Sequence, residues 1–290
     1  MTADRAHEWQ RRFEEFAASK TRAALTAQLS PLVTRLAGAT GGRTAVGNVW
    51  SRRLFDGPFY VAPPSGNRPA CSLVFVQSAD GNTGAADPVS LGGGATDTHL
   101  IYEGLSRVAA DAVMAGSATV RDANIVFSVW HPEMVALRAE LGFVRHPAQI
   151  VATNRGLDLD AGLMFNVPSI RVVLLATEPA VRVMRDALAA RPWITPVLLA
   201  NGGLRAALER LRAIDVARIS CIGGRTLANA LLRAGLVDDV YLTTAPQPGG
   251  EPDTPIAHWA WRGAVILRKD GTGAESGVVF EQIAPARPSQ

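Results

Sequence analysis

Ile219-Ser220-Cys221-Ile222-Gly223-Gly224-Arg225-Thr226-Leu227 decides how this chain is read. An apolar run of strand type meets two glycines and passes directly into a helical stretch, where Leu227, Ala228, Leu231 and Leu232 recur at helical spacing and Gly235 supplies the stop. Strand, tight turn, helix is the repeating unit of an α/β sheet. Paired glycines let a backbone approach a phosphate closely. The helix that follows offers unpaired N–H groups and a partial positive charge, to which Arg225 and Thr226 could add side-chain contacts. A ligand-free turn would carry the same residues. The stretch is neither a Walker loop nor the six-residue dinucleotide fingerprint.

Outward from this unit the alternation continues. Candidate strands lie at 71–77, 112–115, 149–152, 171–176, 197–200, 218–222 and 237–244, and 264–268 with 278–283 reads as a closing antiparallel hairpin. Between them Leu204, Ala207, Leu208, Leu211 and Ile214 stripe one helix, and Leu100, Ile101, Leu105 and Val108 another. Two more strand ends turn polar. Asp111 to Val120 runs through Gly116, Ser117 and Thr119, and Gln77-Ser78-Ala79-Asp80-Gly81-Asn82-Thr83 ends its strand in an Asp-Gly turn. Ligand groups in open α/β sheets gather at the carboxyl ends of strands, so these ends suggest a shared crevice. A helix cap at Ser117 or Thr119, and a plain turn at Asp80-Gly81, are the alternatives.

The 290 residues are 48% hydrophobic and 19% charged, a globular composition. Residues 1–60 hold nine Lys/Arg against five Asp/Glu, so of the net +3 a local +4 belongs to the N-terminus and −1 to the rest. The cations are 27 arginines and two lysines, scattered rather than striped between aromatics, which argues against a nucleic-acid partner. Residues 3–37 read as helix, with Trp9, Phe13 and Phe16 on one face and a break at Ser30-Pro31, and 38–69 reads as an irregular connection. A helical extension over 1–67 and a main domain over 68–290 are expected. No apolar run reaches membrane-spanning length and no targeting pattern opens the chain, so a cytoplasmic protein without a membrane partner is expected. Cys71 and Cys221 sit in apolar runs as structural thiols. The histidines show no metal spacing, Pro-Cys-x-x-Cys is absent, and no G-x-S-x-G elbow supports a hydrolase.

Taken jointly, Ser-x-Asp-Gly at 78–81, Asp-Ala-Val-x-x-Gly-x-x-Thr-Val at 111–120, Gly-Gly-x-Thr-Leu at 223–227 followed by Leu-Leu-x-x-Gly-Leu-Val-Asp-Asp to 239, and Thr244-Ala245-Pro246 resemble the reductase domain of riboflavin-pathway deaminase-reductases. The resemblance covers 69 to about 283. It implies a dihydrofolate reductase-like α/β fold, a central mostly parallel sheet flanked by helices with a C-terminal antiparallel hairpin, usually as a homodimer. It implies NADPH as cofactor and a small heterocyclic substrate, a ribosylaminopyrimidine. Gln77, Gly116, Thr119, Gly223, Gly224, Arg225, Thr226 and Leu227 would then bind cofactor, Asp80 and Ser78 would stand by the chemistry, and Gly81, Asp122 and Phe127 would meet substrate; no metal is implied. Departures fall on the substrate side. Ile222 stands where the family has Glu, Val74 lies where a lysine is frequent, and Thr119 to Trp130 matches the family's Thr-x-x-x-Asp pattern only with a gap at Asp122. A pterin or folate reductase, and a nucleotide-binding protein without turnover, are the alternative readings.

Overall fold

The computed structural model describes residues 3–85, 88–121, 124–199, 203–255, 261–270 and 277–285. Its strands are β1 (Leu32–Ala37), β2 (Thr44–Val46), β3 (Phe59–Val61), β4 (Ala70–Gln77), β5 (Ala112–Gly116), β6 (Ala148–Thr153), β7 (Val172–Ala176), β8 (Ile194–Leu198), β9 (Arg218–Gly223), β10 (Asp239–Thr244), β11 (Trp261–Asp270) and β12 (Val279–Pro285). Ten of them form one sheet in the order β1-β11-β12-β10-β4-β9-β5-β6-β7-β8. From β10 to β8 all neighbours run parallel, while β12, β11 and β1 are added antiparallel at one edge. The expected strands and the closing hairpin are therefore present, and the fold is the α/β one that the sequence implied.

Both faces of the parallel strands are covered, which is why those strands read as nearly continuous apolar runs. Successive residues still alternate between the two faces. Val74, Val113, Ala115, Ile222 and Tyr241 look toward one core, Leu73, Met114, Cys221 and Leu242 toward the other. The second core is closed by helices Gly203–Ala213 and Arg225–Arg233 through Ala207, Leu208, Leu211, Leu227, Leu231 and Leu232. The first is closed by Thr96–Leu105, wound as a π-helix, and by the N-terminal helix Ala3–Thr26, whose Phe13 and Phe16 meet His146 and Trp130 edge-on at 5.4 and 5.5 Å. Cys71 and Cys221 are buried free thiols, as read.

Residues 1–67 depart from expectation. Helix ends at Thr26, and Leu32–Ala37, taken as helical, is the edge strand β1, paired with β11. Pro31 lacks the N–H that a continuing helix needs, and Val33 and Thr34 after it are β-branched. Nor is 38–69 irregular. β2 and β3 pair as a hairpin around helix Val49–Phe55, capped by Asn48, and the carbonyl of Tyr60 accepts from Tyr241 Oη at 3.1 Å and Gln282 Nε2 at 3.0 Å. The hairpin is a separate two-stranded sheet, tied to the main one by these bonds and packed into its core through Val46, Phe55 and Phe59.

Candidate active site

Two bends at the carboxyl edge of the sheet touch each other. A methyl group placed on Gly224 would lie 3.6 Å from Gly116 Cα and 3.8 Å from Thr119 Oγ1, and one placed on Gly223 would lie 3.7 Å from the same hydroxyl. Gly224 has φ +83°, a conformation that glycine adopts without strain, and it opens helix Arg225–Arg233 with no side-chain cap. The first N–H groups of that helix are therefore left to solvent or a ligand beside Thr119. Gly116, Thr119, Gly223 and Gly224 are brought together as expected. Arg225 and Thr226 are exposed at the same helix end, Arg225 reaching Glu251 at 3.4 Å; the side chain of Leu227 is part of the core, which leaves only its backbone facing the bend.

Alongside, the loop after β4 is zipped to the loop after β10. Ala79 N–H donates to Gln247 O at 2.9 Å, Ser78 Oγ to Gly249 O at 2.9 Å, Thr83 N–H to Thr254 O at 3.0 Å and Glu251 N–H to Gly84 O at 2.7 Å. Gln77 Nε2 donates to Thr244 Oγ1 at 3.0 Å, joining the two strand ends beneath. Ser78 Oγ also donates to the Asp80 carboxylate, and that bond, more than any other effect, holds Asp80 below the usual carboxylate range. Asp80 is exposed and ionised, and Gly81 takes φ +85° in the turn beyond it. Ser78 and Asp80 anchor this loop at the edge of the site.

Phe127 is enclosed by its neighbours. It is 2% exposed, packed under the buried Arg107 guanidinium at 5.6 Å, with its backbone N–H and C=O clasped by the Gln149 amide at 2.8 and 2.9 Å. A side chain so enclosed is core, not a pocket wall. Asp122 lies outside the described residues.

A cleft of about 420 Å³ opens next to the Thr119 turn, lined by Val120, Arg121, Arg155, Gly156, Leu157, Asp158, Gly162, Phe165 and Val183. It extends the carboxyl edge from β5 toward the loops after β6 and β7 and carries two exposed arginines. Sequence reading left Arg155 aside, because a lone cation after a strand carries no motif. Among the described residues no cluster of His, Cys, Asp or Glu could hold a metal ion, and no helix is long and apolar enough to cross a membrane.

The family model described as RibD C-terminal domain matches residues 69–258. The chain belongs to that family. Membership makes it an oxidoreductase domain of the pyrimidine-reductase type, built on the reductase half of the riboflavin-pathway deaminase-reductase. The RibD-family match starts just before β4 and stops short of β11, so the N-terminal helix, β1 and the β2–β3 hairpin are additions to it. Among solved structures, the chain is similar to a pyrimidine reductase-like protein from Corynebacterium diphtheriae, at 20% identity and TM-score 0.61 over 77% of this chain and 94% of that one. It is similar to Acinetobacter baumannii RibD at 19% identity and TM-score 0.59, over 77% of this chain and 59% of that one. A deaminase/5-amino-6-(5-phosphoribosylamino)uracil reductase from Thermotoga maritima matches at 15% identity and TM-score 0.50, over 76% and 57%. The chain thus spans under two thirds of the length of the last two proteins. No curated protein matches.

Proposed function

We propose that this RibD-family chain uses NADPH to reduce a ribosylaminopyrimidine, of the kind 5-amino-6-(5-phosphoribosylamino)uracil represents. The observation that carries the reading is the contact between the Gly116–Thr119 turn and the Gly223–Gly224 bend at an uncapped helix N-terminus. A Cβ at Gly224 would lie against Gly116 and Thr119, so glycine lets the two bends come together and leaves the N–H groups that open the helix bare for a phosphate. The cofactor would supply the hydride. The chain's part is to hold the dinucleotide at the N–H groups of Arg225, Thr226 and Leu227, to orient it with Thr119 and Gln77, and to keep water from the reacting carbon.

The neighbouring cleft supports NADPH over NADH. Arg121 and Arg155 are exposed in that cleft, beside the Thr119 turn, and an arginine pair would suit an additional phosphate monoester. The test is turnover by the purified full chain, followed as loss of reduced-nicotinamide absorbance, with the aminopyrimidine and dihydrofolate offered separately and NADPH compared with NADH. Oxidation of NADPH with the aminopyrimidine alone is expected. Oxidation with dihydrofolate alone would move the chain to pterin chemistry, and NADPH binding without any oxidation would mark a nucleotide-binding protein.

A further inference from the structure

Residues 1–68 lie outside the family match, yet the N-terminal helix Ala3–Thr26 and the turn after it hold one element of the matched domain at both of its ends. That element is the π-helix Thr96–Leu105. At its opening, the Thr96 hydroxyl accepts from Ser30 N–H at 2.8 Å and donates to Ser30 O at 3.2 Å. In its last turn, Lys20 Nζ meets Glu103 Oε1 at 2.8 Å, while His99 Nδ1 lies 3.1 Å from the other oxygen. Glu103 is 5% exposed, so its enclosed carboxylate is held by the added helix on one side and from within the π-helix on the other.

Wide winding of this kind needs outside support. Most π-helix is a single turn, and here it lasts ten residues. The bond that closes the run, Ser106 N–H to Ile101 O, reaches five residues back. A methyl placed on Gly104 would come within 2.8 Å of His99 O, again five residues back, so the turn as wound admits glycine and nothing larger there. Rewinding into an α-helix would take one residue out of each hydrogen-bonded loop and swing the opening turn by about 100° for each residue released. That turn borders the groove. Asp97 in it accepts the hydroxyl hydrogen of Thr243, one residue before β10 ends at Thr244, whose own hydroxyl accepts from Gln77 at the end of β4. The winding therefore sets how this helix stands against the carboxyl edge, and Lys20 and Ser30 are ties to it from outside the matched domain.

We propose that Lys20 and Ser30 are positioning residues of the reductase site: through Glu103 and Thr96 they hold the π-helix in its wide form, and with it one wall of the substrate groove. The effect on substrate rests on the reductase reading, whereas the bracing itself does not. Hydrogen exchange on the full chain compares wild type, Lys20→Met and Lys20→Arg, with steady-state kinetics on NADPH and the ribosylaminopyrimidine for each. Lys20→Met takes the outside partner from an enclosed carboxylate, so exchange at the amides of 100–106 should rise by about tenfold to a hundredfold while β5, β6 and β7 stay unchanged. KM for the aminopyrimidine should rise several-fold with kcat and NADPH affinity kept, and Lys20→Arg should restore both readouts. Unchanged exchange at 100–106, or a rise spread equally over β5 to β7, overturns the inference, and so does a local rise that leaves KM at the wild-type value. If Lys20→Met does not fold, Thr96→Val, which removes the hydroxyl bound to Ser30, decides by the same two readouts. A wild type that oxidises no NADPH with the aminopyrimidine would overturn the reductase reading, and exchange at 100–106 would then decide the brace alone.

Discussion

The two ends of the parallel sheet are both polar, and they are built in opposite ways. At the amino end, Asp238 takes Arg68 in two bonds of 2.7 and 2.8 Å and the Cys71 N–H at 2.9 Å, Asp239 takes Arg43 at 2.7 Å, and Asp111 accepts the N–H groups of Ala217 and Arg218 at 2.9 and 2.7 Å. A void of about 20 Å³, water-sized, lies there. At the carboxyl end the helix opening at Gly224 has no side-chain cap, and a cleft of about 420 Å³ carries two exposed arginines. Polar groups matched with one another hold strands in register. Polar groups left unmatched around a groove are free to meet a ligand.

That contrast can be broken from either side. The largest effect is expected from Arg68→Ala, which strands Asp238 at the amino end; both side chains are mostly enclosed, and losing one partner of such a pair costs about 3 to 5 kcal/mol. Urea unfolding should show it, while NADPH affinity in the folded protein stays the same. Next comes Gly224→Val at the carboxyl end. A β-branched residue at φ +83° carries backbone strain of about 1 to 3 kcal/mol and sets its side chain between Gly116 and Thr119 at the mouth of the bend. NADPH titration should therefore show a larger loss than urea unfolding does.

A smaller effect is expected away from both ends, under the N-terminal helix. Burial, with the charges of Arg145 and Arg138, pushes His146 down to about 4, and its Nδ1 lies 2.8 Å from Ser128 Oγ. The unfolded chain takes up a proton near the ordinary histidine value of 6.5, and the folded one resists until about 4. This contribution to stability is complete above 6.5 and is lost as pH falls through that window. His146→Gln should flatten the slope of unfolding free energy between those values and leave cofactor binding untouched; an unchanged slope would count against a buried neutral imidazole.

How legible these features are in sequence follows from how local each one is. β4, β5, β9 and β10 could be read because a two-sided sheet writes continuous Val, Ile, Leu and Ala runs, and the diglycine bend because strand, turn and helix are contiguous. β1 could not. Its pairing partner β11 lies more than two hundred residues away, with Leu32 opposite Asp270, and a half-exposed edge strand carries no clean alternation. Asp80 could be picked out because it sits in a motif, but its contact with the Gly249 N–H, about 170 residues later, could not. The same distance effect hid Phe127, whose enclosure depends on Arg107 and Gln149.

Hydrogen exchange of the full chain with and without NADPH tests the central claim most directly, because it reports on both bends in one experiment. Slower exchange at the amides of 116–120 and 223–228 together, with no change at 68–71 and 238–239, is the predicted result. Protection of one bend without the other, or of neither at saturating cofactor, would contradict a single groove shared by the two strand ends.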